Sequence, residues 1–457
     1  MAETWAKGLD LHVDLSGTRV RAQLEKGLRE AIRSGRLRPQ TRLPSSRTLA
    51  ADLGIARNTV AEVYSQLAAE GWLDARTGSG TVVASRSVLP GDRAAEEPQT
   101  PRPRYDLRSG EPDLASFPRR EWLAAARRAL TAAPDHLLGY GDPRGLAELR
   151  TALAGYLARA RGVHADPGRI VICAGFAHGL GVVSRALRDA GCGTMAVEEY
   201  GHQLHKNIVT GQGLSLRLLP VDGSGAVVSG PGSENADVEA MLLTPAHQFP
   251  LGVALSPARR RALAARDGVV IEDDYDGEFR YDRQPVGALQ ALAPDRVIYA
   301  GTASKSLAPG MKLAWLVVPQ PLLDPVLAAM SGAPSALDQL TLAAFIASGD
   351  YDRHIRRARV NYRRRRDKLV AAMTELGLRV YGIAAGLHAN LEFDHNELEY
   401  FATSHASRHG VAVSGLSEFT AAGAAGRRAG LIIGYGRPPD HAYTAALARL
   451  TAVLSDL

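Results

Sequence analysis

The sequence predicts a multidomain chain, a small α+β head of helices followed by a hairpin wing and then a large α/β domain, and three observations predict it. The 457 residues exceed what one hydrophobic core usually supports. Within the first 85 positions apolar residues recur at helical spacing and then give way to a glycine-rich hairpin signal. Beyond about Tyr105, helical segments alternate with short β-branched runs, the pattern of a largely parallel sheet covered by helices.

In the head, Val20, Leu24, Leu28 and Ile32 recur every four positions between Thr18 and Gly35, which marks an amphipathic helix that Gly35 stops. Ser45, placed after Pro44, can cap a short second helix running through Leu49 and Leu53 to a turn at Gly54. A third helix begins near Arg57 and carries Val60, Val63, Tyr64 and Leu67 to Gly71. Trp72–Ala75 and Thr81–Ala84 are extended runs joined by Arg76-Thr77-Gly78-Ser79-Gly80, so residues 1–85 read as a winged helix-turn-helix. In such a module the recognition helix points its first residues at base edges in the major groove, which places Arg57, Asn58 and Thr59 there. Ser45, Ser46 and Arg47 open the preceding helix, where N–H groups and hydroxyls suit phosphate, and Arg76, Thr77 and Gly78 lead into the wing.

Residues 86–104 hold four prolines and little apolar periodicity, an exposed linker. In the domain that follows, residues 105–457, helical segments at 121–131 and 145–160 alternate with the strand-like runs Arg169–Cys173, Thr194–Val197, Val269–Ile271 and Arg296–Tyr299. The basic run Arg353–Lys368 carries an imperfect apolar stripe of Tyr351, Ile355, Val360 and Leu369, and reads as a solvated helix face rather than a second nucleic-acid site.

Composition narrows the class less than position does. Hydrophobic residues at 46% and charged residues at 22% suit a globular protein, and exclude neither an enzyme nor a binding protein. A net charge of +6 is compatible with nucleic acid but weak evidence on so long a chain. Cys173 and Cys192 lie in apolar stretches without CxxC or Cys/His spacing, which argues for buried free thiols and against a disulfide framework or zinc site. The start MAETWAKGLDLHVDL lacks a basic end followed by an apolar core, and no apolar run approaches the roughly 20 residues that span a bilayer, so the expectation is a cytoplasmic protein without a membrane partner.

Three segments carry the chemistry. Ser304-Lys305-Ser306-Leu307-Ala308-Pro309-Gly310 follows the strand-like Val297-Ile298-Tyr299, and a lysine in a crowded loop after a buried strand suits a Schiff base, because desolvation depresses its pKa. Upstream, Val269-Val270-Ile271 runs into Glu272-Asp273-Asp274-Tyr275, where strand alternation puts Asp273 and Tyr275 on one face. A carboxylate beside a pyridine nitrogen keeps it protonated, and a phenol can hydrogen-bond a ring oxygen. A magnesium site is the weaker reading of these carboxylates, since no Walker-type phosphate loop accompanies them. The third segment, Ile172 to Leu180, ends a strand in a Gly175 turn that opens a helix with Phe176 and Ala177, and free N–H groups there suit a phosphate.

The head resembles the GntR family of bacterial regulators, through Gly35-Arg36-Leu37, Arg42-Leu43-Pro44-Ser45, Leu49-Ala50 and Arg76 to Thr81, with Ala56 standing where a capping Ser or Thr is usual. The rest resembles fold type I aminotransferases, and the wording is nearest to the MocR-type regulators, through Gly139-Tyr140-Gly141-Asp142-Pro143, Thr244 to Pro250, Glu272 to Tyr281 and Ser304 to Leu316. The resemblance implies an α/β body with a large domain at about 135–350 and a small domain from the remaining C-terminal part. It implies pyridoxal 5′-phosphate (PLP) as cofactor, with Lys305 as its Schiff base, Asp273 at the pyridine nitrogen and Tyr275 at the phenolic oxygen. Gly175, Phe176, Ala177, Ser304 and Lys312 would hold the phosphate, Lys312 standing where Arg is more common. Tyr140 would reach the phosphate of a neighbouring subunit, which implies a head-to-tail homodimer.

Two departures bear on function. Ile432 and Leu204 stand where arginines grip a substrate carboxylate in relatives, and His202 stands where a stacking Tyr is usual, although an imidazole can also stack. The leading reading is therefore a regulator that binds double-stranded operator DNA and senses a small-molecule effector through PLP, the body serving as a sensor rather than an enzyme. PLP itself is favoured as effector over an amino compound, as in relatives that control vitamin B6 synthesis. The alternative is an active PLP-dependent aminotransferase with a DNA-binding appendage, and a weaker third reading is a structural body without cofactor.

Overall fold

The computed structural model of the chain describes residues 19–76, 80–85, 103–228, 238–281, 286–424 and 428–456. The chain falls into two compact units, Met1–Pro101 and Arg102–Leu457. The linker expected at 86–104 lies outside the described residues up to position 102.

In the first unit the four-residue spacing becomes α1, Val20–Arg33, which buries Leu24, Leu28 and Ile32. α2, Ser46–Leu53, is capped by the Ser45 hydroxyl, which accepts from the Thr48 N–H at 3.1 Å, and Gly54 ends it in the left-handed conformation. α3, Arg57–Ala69, starts at Ala56 without a side-chain cap and buries Val60, Val63 and Leu67 against Leu24, Leu28 and Leu49. Truncating Leu28 in this core would cost about 2–5 kcal/mol. The wing pairs β1, Leu73–Arg76, antiparallel with β2, Gly80–Val83. Both strands sit one residue off the expected runs, because the register sets Leu73 opposite Val83 and buries both.

The second unit opens with α4, Arg119–Ala132, and α5, Ala147–Arg161. Seven strands build its main sheet: β3, Ile170–Cys173; β4, Thr194–Glu198; β5, Ser215–Leu219; β6, Ala240–Leu243; β7, Val269–Asp273; β8, Val297–Thr302; and β9, Ala314–Val317. Their order across the sheet is β3-β9-β8-β7-β6-β4-β5. Only β9 runs antiparallel to its two neighbours, so the sheet is largely parallel. β3, β6, β8 and β9 are buried at every position, as strands covered on both faces must be. Helix α6, Phe176–Asp189, leaves the end of β3, and α7, Gln203–Gly211, follows β4.

α8, Pro257–Ala265, joins β6 to β7, and three helices follow β9: α9, Gln320–Ala329; α10, Ala336–Ala347; and α11, Asp350–Glu375. A four-stranded sheet follows, made of β10, Val380–Tyr381, β11, His388–Phe393, β12, Ser414–Gly415, and β13, Ala429–Gly434. α12, Asn396–Arg408, and α13, Asp440–Leu454, complete this part. The incoming chain joins it, since the Leu107 N–H donates to Ala412 O and the Gly434 N–H donates to Leu107 O.

Two expectations need correction. Most arginines of α11 are exposed, but Arg365 is buried, pairing with Asp113 at 2.8 Å and donating to Pro438 O at 2.6 Å. A pair hidden this way is held by its hydrogen bonds, and removing one partner would cost about 3–5 kcal/mol. Cys173 is buried but Cys192 only half so, because it lies in the turn between α6 and β4. No helix among the described residues is long and apolar enough to cross a membrane.

Candidate functional site

On the head, Arg57 and Asn58 are exposed and Thr59 half-buried at the open end of α3. Arg47 is exposed and Ser46 half-buried at the start of α2. The Ser45 hydroxyl is engaged by Thr48, as acceptor of its N–H and at 2.7 Å from its Oγ1, so its role is capping before any contact with phosphate. Arg76 pairs through its backbone with Gly80, and its side chain, with Thr77 and Gly78, lies outside the described residues. Sequence reasoning used Arg42 only for the family resemblance; its guanidinium packs against Gly80, 3.0 Å from where a Cβ there would lie, and Gly80 itself takes φ +88°.

On the body, the C-terminal ends of β3, β4, β7 and β8 open into one cavity of about 240 Å³, where parallel sheets usually place ligands. Its lining includes Gly175, Phe176, Ala177, His202, Asp273, Tyr275, Ser304, Lys305 and Lys312. Segments up to 278 residues apart in sequence therefore meet, from Gly110 to His388. Tyr140 does not join them; its ring is wholly exposed.

Each group is held by an identifiable local cause. Gly175 takes φ +91° at the start of α6, where, among the described residues, no side chain caps the helix, and the first residues of α6 line the cavity. Lys312 adopts a left-handed backbone at φ +51°, and its Cδ lies 4.0 Å from where a Cβ of Gly175 would be. The Ser304 hydroxyl sits 2.9 Å from that of Thr302. The Lys305 amine donates to Gly110 O at 2.5 Å, and burial pulls its pKa below the ordinary lysine value, with Asp276 and Asp273 opposing.

Asp273 is 6% exposed, and burial pushes its pKa well above the carboxylate range although Lys305 pulls it down. Among the described residues its Oδ1 has no hydrogen-bond partner. An orphaned buried carboxylate oxygen is costly unless a donor comes to it, and the protonated nitrogen of a pyridine ring supplies one. The residues present thus fit PLP: Lys305 would supply the amine, and the α6 terminus with Lys312 would seat the anion.

His202 lies flat against Phe249, with centroids 4.3 Å apart and planes 15° apart. Burial and the nearby Lys305 lower its pKa to about 4, and burial with His202 lowers that of His205 to about 3, so both rings are neutral at pH 7. Leu204 is exposed, and Ile432 is buried in an apolar cluster with Tyr200, Leu251 and Leu416; neither is among the residues that line the cavity. Among the described residues no arginine lines the cavity; its cations are Lys206, Lys305 and Lys312.

Sequence reasoning missed several lining groups. Lys206 is buried, donates to Glu199 O at 3.0 Å, and is lowered by burial to about 8. Glu198 accepts from the Thr244 N–H at 3.2 Å and is raised by burial to about 7. Phe249 and His388 complete the wall. Glu198 ends a strand whose neighbours were already singled out, which was a usable signal; the burial of Lys206 on a polar-looking helix was not.

The model of the aminotransferase class I and II family matches residues 103–429, and that of the bacterial regulatory proteins, gntR family, matches residues 20–83. The chain is 34% identical over 451 residues to the HTH-type pyridoxine biosynthesis transcriptional regulator PdxR of Corynebacterium glutamicum, covering 96% of each. It is 34% identical over 377 residues to the probable rhizopine catabolism regulatory protein MocR of Rhizobium meliloti, covering 76% of each. It is 32% identical to the HTH-type transcriptional regulator TauR of Rhodobacter capsulatus, covering 79% of this chain and 81% of that one. Among solved structures, an archaeal alanine:glyoxylate aminotransferase superposes with a TM-score of 0.68 at 23% identity over 77% of this chain and 91% of that one, a likeness of fold.

Proposed function

The chain belongs to the MocR-type subgroup of the gntR family, DNA-binding transcription regulators whose winged-helix head precedes an aminotransferase-like body of a PLP-dependent family, and from that premise we propose that it senses a ligand through PLP held in the body cavity. The observation that carries this reading is the unpartnered Asp273 Oδ1 in the same cavity as the desolvated Lys305. Bound there, PLP supplies an aldehyde that an amine can capture.

In this reading Lys305 is the covalent hook and Asp273 meets the ring nitrogen. Tyr275 donates to the phenolic oxygen and His202 covers a ring face. Gly175, Phe176, Ala177, Ser304 and Lys312 hold the phosphate. The exposed Tyr140 reaches the phosphate of the other copy in a head-to-tail homodimer. Arg57, Asn58 and Thr59 read bases, while Ser45, Ser46, Arg47, Arg76, Thr77 and Gly78 engage the backbone. The lack of a cavity arginine favours PLP itself over an amino compound as effector, and the relative named for pyridoxine biosynthesis supports control of vitamin B6 metabolism, in the cytoplasm.

The test is the affinity of the full chain for DNA upstream of its own gene, measured by fluorescence anisotropy while PLP is titrated. A change of about 5- to 150-fold with PLP, absent with amino acids, is the expected result. Affinity that ignores PLP would overturn the sensing reading, and sustained amino-group turnover would favour the enzyme alternative.

A further inference from the structure

Behind Tyr275 lies a buried cluster that the binding of a cofactor does not itself require. The His247 Nδ1 sits 2.8 Å from Asp276 Oδ2 and 3.1 Å from the Tyr275 hydroxyl. His247 and Asp276 are 3% exposed each, and only the first-named contact joins a cation-forming ring to a carboxylate. The turn at Gly386, φ +73°, closes over the pair: a Cβ there would collide with His247 Cε1 and lie 2.6 Å from Asp276 Oδ2. A backbone pressed this close leaves little room for water between the two groups.

The distances fix the proton arrangement. A carboxylate accepts only, so the His247 Nδ1 facing Asp276 carries the hydrogen. That nitrogen then has no lone pair for Tyr275, and the phenol oxygen can only accept there. The phenol's own hydrogen is left with two takers: Asp276, with which Tyr275 also hydrogen-bonds, or an acceptor in the cavity that Tyr275 lines. We propose that His247 is a positioning residue for Tyr275: its Nδ1–H, shared between the Asp276 carboxylate and the phenol oxygen, reserves the phenol's hydrogen for an acceptor in the cavity.

The other charged and titratable groups facing this cluster do not replace His247. His388, from β11, lies 5.1 Å from the His247 ring, and its Nε2–H donates to Pro250 O at 3.1 Å. Burial and His247 keep it neutral, with its pKa lowered to about 3. Asp273 and Glu198 act on Tyr275 through space, each raising its pKa, while Lys305 is held by Gly110 O. Removing His247 therefore frees Asp276 to draw the phenol's hydrogen away from the cavity.

The inference rests on the cofactor reading above, in which the acceptor is the phenolic oxygen of PLP. A donor on that oxygen favours its anionic form and lowers the pH midpoint at which the bound chromophore changes colour. The full chain loaded with PLP is titrated by visible absorbance. His247→Leu and the volume-preserving His247→Gln, whose amide falls at the position of Nε2, should raise the midpoint by about one pH unit, tenfold in proton affinity. His247→Asn places an N–H where Nδ1 stands and should restore the midpoint to within a few tenths of a unit. In a Tyr275→Phe background, His247→Gln should add no further shift. Equal midpoints for the Gln and Asn variants, or a His247 effect that survives without the phenol, would overturn the inference while leaving the cofactor reading intact. A wild-type chain that gives no visible band with PLP would overturn both.

Discussion

The floor of the body cavity and the positions beside it where an arginine grip would sit differ in kind. Around Asp273, Tyr275 and Lys305 the groups are polar, desolvated and cross-linked to His247, Asp276 and Gly110. Leu204, by contrast, faces outward from α7, and Ile432 is packed among apolar side chains. On the reading proposed above, the contrast teaches that holding a cofactor and selecting a carboxylate substrate are separable jobs on this fold: the residues for the first would converge on the cavity floor, while packing and surface occupy the places taken for the second.

Changes on the floor should give the largest effects. Lys305→Ala removes the covalent hook, and loss of about 3 kcal/mol or more, over 100-fold in PLP affinity, is expected in equilibrium dialysis. Asp273→Ala should weaken PLP by about 10- to 100-fold, the worth of a charge-assisted hydrogen bond, and Asp273→Asn should recover part of it. If both variants bound PLP like the wild type, the floor would not be the cofactor's seat.

The wall between the two regions gives a pH signature. Burial raises Glu198 from 4.5 to about 7, so the folded state binds its proton more tightly than the unfolded chain. Its contribution to stability is present below pH 4.5 and is lost as pH rises to about 7. Glu198→Gln should therefore flatten the fall of Tm between pH 5 and 8. The smallest effect is expected at the periphery: Leu204→Arg, on an exposed face, should leave PLP binding unchanged and create no response to amino acids. A gained amino-acid response would mean that α7 turns its side chains inward when ligand is present, which would undo the contrast.

Much of the floor was legible because each part is a local signal. Lys305 after a buried strand, Asp273 at the end of another and Gly175 before a helix are short motifs, and alternation along β7 carried Asp273 to the cavity with Tyr275 just beyond it. The supports were not legible, since His247, Asp276, His388 and Gly386 come together only through the packing of β11 and its preceding turn against the β7 end. Charge patterns misled for a similar reason: nothing in the arginine-rich run distinguishes the buried Arg365 from its exposed neighbours until Asp113, 252 positions away, supplies its partner. The antiparallel β9 was likewise invisible, because a buried strand reads the same in either direction.

The head offers a finer comparison. Arg57→Ala should relax base preference by about 1–3 kcal/mol at one position, while Arg47→Ala should weaken binding across sequences and reduce the salt slope by about one.

The central claim is that the cavity and the head share one free energy. It is tested most directly by measuring PLP affinity of the full chain by visible absorbance with and without saturating operator DNA, beside the DNA affinity with and without PLP. Linkage predicts the same factor in both directions, abolished in the Lys305→Ala variant. PLP affinity that is indifferent to operator DNA, on a chain that binds both, would contradict it.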